Sequence, residues 1–121
     1  MRRLEFVSLQ VRDLEASKEF YTNKLGFEAL EMGNPDAVVF KYNKGEASFA
    51  IRKPIGNIDG KELGIGTSLW FVIDGKIDYL KKKFEGMNIQ ILGDINPTPF
   101  GNTLLVKDLD GYILTFMEPK N

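Results

Sequence analysis

The side chains that most enzymes use for proton transfer and metal binding are missing from this sequence. Its 121 residues include no His and no Cys. Their absence removes the commonest general base, the thiolate nucleophile and the usual ligands of zinc and nickel. Carboxylates alone suit such metals poorly. The remaining candidates are aromatic, hydroxyl and cationic side chains on predicted strands, and these favour binding over catalysis.

Candidate binding residues follow from strand periodicity, because alternate side chains point to opposite faces of a strand. Four predicted strands, at 4–11, 47–53, 68–73 and 112–117, each turn their more apolar set toward a helix. We expect the other set to line a groove. That set is Phe6, Ser8, Gln10, Ser48, Ala50, Arg52, Ser68, Trp70, Val72, Ile113, Thr115 and Met117.

This predicted lining suits a flat, partly apolar ligand. Trp70 and Phe6 offer stacking surface, while Gln10 and the small hydroxyls could orient a ligand. Arg52 could pair with an anionic group, and with no carboxylate in the set there is no poised acid or base. Simpler alternatives stay open: Trp70 fills a packed groove or a subunit interface, and Arg52 reaches solvent or a surface Glu. Phe100 either covers the groove mouth or belongs only to a turn.

The elements that must position these residues occur twice, in the order strand, helix, strand, strand, strand. Asp13 and Asp74 are predicted helix N-caps, and turns at 43–45 and 108–111 predict hairpins. The first set is predicted at 4–11, 14–24, 27–32, 37–42 and 47–53. The second set is predicted at 68–73, 75–86, 89–92, 102–107 and 112–118, with loops at 54–66 and 93–101.

This repeat predicts an α+β fold with two βαβββ modules in tandem. Curved mixed sheets would enclose the groove, with the helices outside. We expect one domain over 1–121, with module one at about 3–54, a linker at about 55–66 and module two at about 67–119.

Charge and hydropathy exclude two classes of partner. Sixteen basic and seventeen acidic residues give a net charge of -1, which argues against nucleic acid. The longest apolar run is far short of the roughly 20 residues that span a membrane. The N-terminus lacks the apolar region of a signal peptide. We therefore expect a cytoplasmic protein.

Two separated stretches resemble the signatures of the vicinal oxygen chelate superfamily. VSLQVRDLEASKEFY at 7–21, followed by KLGF at 24–27, resembles the N-terminal signature. DLDGYILTFME at 108–118 resembles the C-terminal one. The superfamily includes glyoxalase I, bleomycin-binding proteins, fosfomycin-modifying enzymes and extradiol dioxygenases. The likeness covers residues of about 4–119.

The resemblance implies four metal-ligand positions, usually His or Glu, on four strands. They fall on Phe6, Ala50, Ser68 and Thr115, none of which is a strong ligand. Glu118 lies three residues beyond Thr115, so its side chain is expected on the other face of the strand. Phe6 is then better explained as a plug in the former metal pocket than as a ligand contact.

With these replacements the chain resembles the metal-free, drug-binding branch of the superfamily. That branch implies a metal-independent protein that sequesters a flat aromatic or amphipathic ligand, with no cofactor and no catalytic residue. Bleomycin itself is a poor fit, because it is cationic and the predicted groove carries Arg52. A metal-dependent lyase, isomerase or dioxygenase stays an alternative, as does a non-catalytic interaction module. The family also implies a homodimer, with the groove within one chain or across two.

Overall fold

The computed structural model describes residues 1–31 and 33–120. Its contacts divide the chain into a first unit, Met1–Lys61, and a second unit from Glu62 onward. Each unit holds a helix and a four-stranded mixed sheet. The predicted α+β fold of two tandem βαβββ modules is therefore confirmed, while the finer module limits stay a prediction. No helix in the described part of the chain has the length and apolarity needed to cross a membrane.

The elements of the first unit are β1 Phe6–Gln10, α1 Leu14–Glu19, β2 Ala29–Leu30, β3 Ala37–Phe40 and β4 Ser48–Arg52. The strands lie in the sheet in the order β1-β4-β3-β2. β1 and β4 pair in parallel, and the other pairs are antiparallel.

The core of the first unit is a cluster of aromatic rings between the helix and the sheet. Tyr21 is fully buried and stacks on Phe40 with ring centroids 5.4 Å apart. Phe49 stacks on Phe40 at 4.7 Å and meets Phe27 edge-on at 5.0 Å. Such pairs each add about 0.5–1.5 kcal/mol beyond the burial of their area. The cluster therefore fixes the sheet face that the helix covers.

The predicted helix at 14–24 is confirmed in extent, but its second half is wider than an α-helix. Asp13 caps α1 as predicted, accepting a hydrogen bond from the backbone N–H of Ala16 at 3.1 Å. A π-helical turn, Phe20–Lys24, continues α1, and the N–H of Leu25 donates to the carbonyl of Phe20 at 3.1 Å.

The predicted strand at 27–32 is largely wrong, since β2 is only Ala29–Leu30. Phe27 instead lies just after the helix, and its N–H donates to the carbonyl of Tyr21 in the last turn at 3.0 Å. The last residue of the prediction, Met32, lies outside the described residues.

The elements of the second unit are β5 Leu69–Val72, α2 Ile77–Gly86, β6 Ile91–Thr98, β7 Gly101–Lys107 and β8 Ile113–Pro119. The second unit repeats the same topology, with strand order β5-β8-β7-β6. β5 and β8 pair in parallel, and the other pairs are antiparallel. Phe116 packs between Phe71 and Phe84 of α2, with ring centroids 5.6 Å and 5.4 Å away.

The predicted loop at 93–101 is wrong for most of its length. β6 runs through Thr98, so the predicted strand at 89–92 is too short and only Pro99 and Phe100 form the turn. Pro97 is tolerated because β6 is an edge strand of its sheet. A strand at an edge has a neighbour on one side alone, so a proline there, which lacks an N–H, costs no hydrogen bond on the other side. The register in which β6 pairs with β7 shifts between Leu92 and Asn96.

Asp74 is not the N-cap of the second helix, which corrects that prediction. α2 begins at Ile77, and the residue at its N-cap, Lys76, makes no capping side-chain hydrogen bond. The acceptor comes from β8, because Glu118 Oε1 receives the N–H of Ile77 at 2.8 Å. Gly86 is the last helical residue, as predicted, and Asn88 supplies the left-handed residue after it, at φ +57°.

Candidate functional site

Each sheet buries one face against its own helix and carries a second face, which we name the open face. Ring contacts of Phe49 with Tyr21 and of Phe116 with Phe84 identify the helix side. Phe49 and Phe116 lie on the helix side as predicted, and alternation along the paired strands then assigns the other residues to the two faces. The open face of the first sheet includes Phe6, Ser8, Gln10, Ser48, Ala50 and Arg52. The open face of the second sheet includes Trp70, Val72, Ile113, Thr115 and Met117, with Ser68 just before β5.

Trp70 is a large ring on the open face of the second sheet that remains 46% exposed. Its indole Nε1 donates a hydrogen bond to Ser68 Oγ at 2.7 Å. Its ring meets Phe100 at a right angle, with centroids 6.2 Å apart. The indole therefore has a fixed orientation while much of its surface stays accessible.

Phe100 sits at the tip of the turn between β6 and β7 and is 68% exposed. The hydroxyl of Thr98 organises this turn. It accepts from the N–H groups of Phe100 and Gly101, both at 3.2 Å, and donates to the carbonyl of Gly101 at 2.7 Å. Sequence reasoning missed Thr98 because it placed residues 93–101 in an irregular loop. A Thr followed by Pro was the available turn signal.

Thr115 lies centrally on the open face of the second sheet. The register places it between Trp70 on β5 and Leu105 on β7, and it is only 3% exposed. Val72 and Ile113 on the same face are exposed apolar side chains. The face thus combines apolar surface with small hydroxyls.

Charge on this face is sparse. Within β5 to β8, all of them described strands, the regular register places no Asp or Glu on the open face, and Lys107 lies there opposite Ile113. Asp94, in the irregular stretch of β6, pairs instead with Lys81 of α2 at 3.2 Å. On the open face, the regular register of these described strands therefore offers no negative charge to a ligand.

The open face of the first sheet is more polar. Phe6 is 56% exposed, and Ser8 lies opposite the buried Ala50. Arg52 is half-buried at the end of β4, where its Nε donates to the carbonyl of Lys53 at 3.0 Å. Among residues 1–31 and 33–120, no carboxylate forms an ion pair with Arg52.

Gln10, predicted to orient a ligand, has a backbone partner. Its Oε1 accepts from the N–H of Ile55 at 2.9 Å. Arg12, which sequence reasoning missed, donates to the carbonyls of Ile58 and Lys61 at 3.0 and 2.7 Å. The two side chains fasten the segment after β4 to the end of β1. No local sequence signal identifies such partners about 50 residues away.

A concave depression of about 490 Å³ lies on the helix side of the second sheet. Its lining is mostly polar and includes the paired Lys81 and Asp94. Small-molecule sites are usually lined by apolar and aromatic groups. The open faces therefore remain the better candidates.

Comparison with known families gives the chain its classification. It matches the sequence model of the Glyoxalase/Bleomycin resistance protein/Dioxygenase superfamily over residues 3–116. The chain belongs to this superfamily. No curated protein matches it.

Solved structures of superfamily type align with the chain over almost its full length. The antibiotic binding protein TnmS3 from Streptomyces sp. CB03234 is 18% identical, with a TM-score of 0.76, and the match covers 99% of this chain and 98% of that one. The glyoxylase/bleomycin resistance protein/dioxygenase domain from Frankia sp. EAN1pec is 26% identical, with a TM-score of 0.75 and coverage of 100% and 94%. A superfamily member from Sphaerobacter thermophilus DSM 20745 is 21% identical, with a TM-score of 0.74 and coverage of 98% of each chain. The matches at 18% and 21% show the fold alone.

The metal positions that the superfamily implies do not fit a metal in this chain. Phe6 and Ala50 occupy them in the first unit, and Ser68 and Thr115 occupy them in the second. None carries an imidazole or a carboxylate, and Ser68 Oγ already accepts from Trp70. Across the described residues, no three His, Cys, Asp or Glu side chains come together in a cluster that could hold a metal ion.

Glu118, the nearest carboxylate in sequence to Thr115, serves the fold instead. Its side chain projects to the helix side, as predicted, where it accepts from the N–H of Ile77 and pairs with Lys76 at 3.5 Å. The hydrogen bond from Ile77 holds the pKa of Glu118 below its ordinary value, against the opposing effect of burial, and the Lys76 ammonium adds to the lowering. Glu118 is a helix cap in this superfamily member.

Proposed function

We propose that this superfamily member binds a flat aromatic or amphipathic small molecule on the open faces of its sheets, without a metal, and sequesters it unchanged. One observation carries the proposal. The four metal positions hold Phe6, Ala50, Ser68 and Thr115, while Trp70 in the second unit stays accessible. The residues that would activate a substrate are replaced, and the surface that would hold one remains.

The second unit supplies the apolar contacts in this proposal. Trp70, Phe100, Val72 and Ile113 are all exposed. Exposed apolar side chains that cluster on one face commonly mark a binding site. The fold that the chain shares with the antibiotic binding protein TnmS3 supports a role in ligand binding.

On the open face of the first unit, taken by itself, Arg52 offers a polar contact. Its guanidinium has no carboxylate partner among the described residues, so it is free of a competing ion pair. A ligand with an acidic group would gain a charge-assisted hydrogen bond there. This favours neutral or anionic aromatic compounds over cationic ones such as bleomycin.

Fluorescence of Trp70 tests the proposal directly, because Trp70 is the only tryptophan. We would titrate the protein with aromatic antibiotics and acidic aromatic metabolites, with EDTA and separately with Mn²⁺, Ni²⁺ or Zn²⁺. Saturable quenching with the same affinity in both conditions is expected. Binding that requires a metal would refute the proposal, and so would turnover of the bound compound.

A matched pair of variants locates the binding. Calorimetric titration of Trp70→Leu should show weakened binding of any ligand found by fluorescence. Tyr79→Leu should bind normally, since Tyr79 is an exposed aromatic residue on α2, away from the open face. Equal affinities for the two variants would exclude Trp70 from the site. Sedimentation of the same samples tests the expected homodimer.

A further inference from the structure

Two exposed aromatic rings of the second unit are both held in place by local hydrogen bonds. Ser68 Oγ accepts from the Trp70 indole at 2.7 Å, which fixes the ring against rotation. Thr98 Oγ1 closes the turn that carries Phe100 through three hydrogen bonds. Exposed side chains normally lose rotamer freedom when they bind, and a ring already fixed loses less. The rings are therefore organised before any ligand arrives.

The right angle between the rings selects the shape of a ligand that packs against both of them. The planes of Trp70 and Phe100 are 90° apart, with centroids separated by 6.2 Å. A third ring stacked on the indole is parallel to it, and is therefore perpendicular to Phe100. It makes an offset-stacked contact with one ring and an edge contact with the other, and both arrangements are favourable. A puckered saturated ring can make neither.

The surrounding charge disfavours a cationic ring, since the one charged residue that the regular register of the described strands places on this face is Lys107. The regular register places no Asp or Glu of the described strands on this open face. A cationic group would find no counter-ion there.

We propose that Trp70 and Phe100 form a two-ring subsite for a planar aromatic ring that carries no positive charge, and that Thr98 is a positioning residue that holds Phe100 in it. This rests on the proposed function, to which it adds the ligand class and a residue outside the ligand contacts. The subsite lies wholly within the second unit.

Two neutral probes with the same carbon skeleton test the planar selectivity. The first is 2-naphthol, and the second is its saturated analogue, decahydro-2-naphthol. Calorimetric titration in EDTA should show 2-naphthol binding more tightly, by about 2- to 12-fold for each of the two protein rings against which it packs. Equal affinities would overturn the subsite, and so would a complete absence of 2-naphthol binding.

Variants then test whether Phe100 contacts the ligand and whether Thr98 positions Phe100. Phe100→Leu should lower the affinity for 2-naphthol by about 2- to 12-fold and leave decahydro-2-naphthol nearly unchanged. Thr98→Val should have the same effect, and Thr98→Ser should restore wild-type selectivity because it keeps the hydroxyl. Tyr79→Leu serves as the control. The readout is the ratio of the two affinities, which a general loss of stability would not change.

The outcomes separate this subsite from the proposed function. Unchanged selectivity in Phe100→Leu would overturn the subsite, even where antibiotic titrations still show metal-independent binding. Loss of selectivity in both Thr98→Val and Thr98→Ser would overturn the positioning role alone. If Thr98→Val fails to fold, Phe100→Leu still tests whether the two rings form the subsite. Thr98→Ser is then expected to keep the wild-type ratio of the two affinities. If ring variants turn a dimer into a monomer, the rings belong to an interface between copies and the subsite is refuted.

Discussion

Gly101 links the fold of the second unit to its aromatic subsite, and its replacement gives a sharp prediction. The residue directly follows Phe100 and has φ +153°, a conformation that L side chains rarely adopt. A Cβ at this position would overlap the carbonyl oxygen of Glu118 and lie 2.9 Å from Pro119 Cα. Both obstacles are backbone atoms of β8, so no side-chain rotation can relieve them.

The expected cost of Gly101→Ala follows from these two effects. Forcing an extra carbon against packed backbone costs about 1–3 kcal/mol. Holding a non-glycine residue in this region costs about 1–3 kcal/mol more. The variant should therefore lose about 2–6 kcal/mol of unfolding free energy. Gly93→Ala is the matched control: Gly93 also has positive φ, +72°, but nothing lies within 4 Å of its Cβ position. It should lose only about 1–2 kcal/mol.

Urea unfolding followed by circular dichroism measures both changes. The transition midpoint should fall for each variant, and further for Gly101→Ala. Both glycines have positive φ, and the main difference between them is the close approach of β7 to β8 at Gly101. If Gly101→Ala and Gly93→Ala lost the same free energy of unfolding, β7 and β8 would have to move apart without cost. That result would refute the predicted clash at Gly101.

Three further changes test local features of the fold. Asp13→Ala removes a helix cap and should lower the free energy of unfolding in urea by about 1 kcal/mol. Asp74→Ala should change this free energy little. Equal losses in the two variants would contradict the assignment of Asp13 as a cap and of Asp74 as none. The pKa of Glu118 is lowered in the folded protein, so its carboxylate stabilises the fold above the unfolded-state pKa, and that gain is lost as pH falls through the folded-state pKa. Wild type should exceed Glu118→Gln in unfolding free energy at neutral pH, and the difference should shrink in acid; a pH-independent difference would contradict this. Gly86→Ala should raise the free energy of unfolding by about 0.4–1 kcal/mol, measured by thermal unfolding, because no atom lies within 4 Å of its Cβ position; a loss would show hidden crowding.

Local patterns were enough to predict most elements and their faces. The hairpin at 108–111 is an example, because its determinant lies within the turn. Asp108 Oδ1 accepts from the N–H groups of Asp110 and Tyr112, both at 2.9 Å. Period-two alternation likewise separated Phe116 from Thr115, because one face of each strand packs on a helix and needs apolar side chains.

Features that depend on distant partners were not predictable. The acceptor for the N–H of Ile77 comes from Glu118, 41 residues later, so Asp74 was the only cap visible in the local sequence. β6 continues through Pro97 because β7 pairs along one edge and the other edge is unpaired. Pro and Gly in a short stretch of sequence indicate a loop. The same stretch does not show which strand lies at the edge of a sheet, where Pro is tolerated.

The candidate site shows the same division. Strand periodicity placed Trp70 on the open face, but its contact with Phe100 joins residues 30 positions apart and depends on the turn that Thr98 closes. The sequence also could not reveal that Gln10 is engaged with the backbone of Ile55. Strand periodicity therefore identifies which residues lie on an open face, but it does not show which of them already bind another part of the protein, as Gln10 does.

Ser68 explains how a metal position can become part of an aromatic site. The superfamily implies a metal ligand there, and in this chain the same position carries the hydroxyl that accepts the indole N–H of Trp70. An imidazole engaged with a metal would have no lone pair left for that indole, because one ring nitrogen would bind the metal and the other would carry a proton. The missing metal ligand and the hydrogen bond to the indole thus both follow from the serine at position 68. Metal binding and a preorganised Trp70 are therefore alternatives at the position of Ser68, directly before β5.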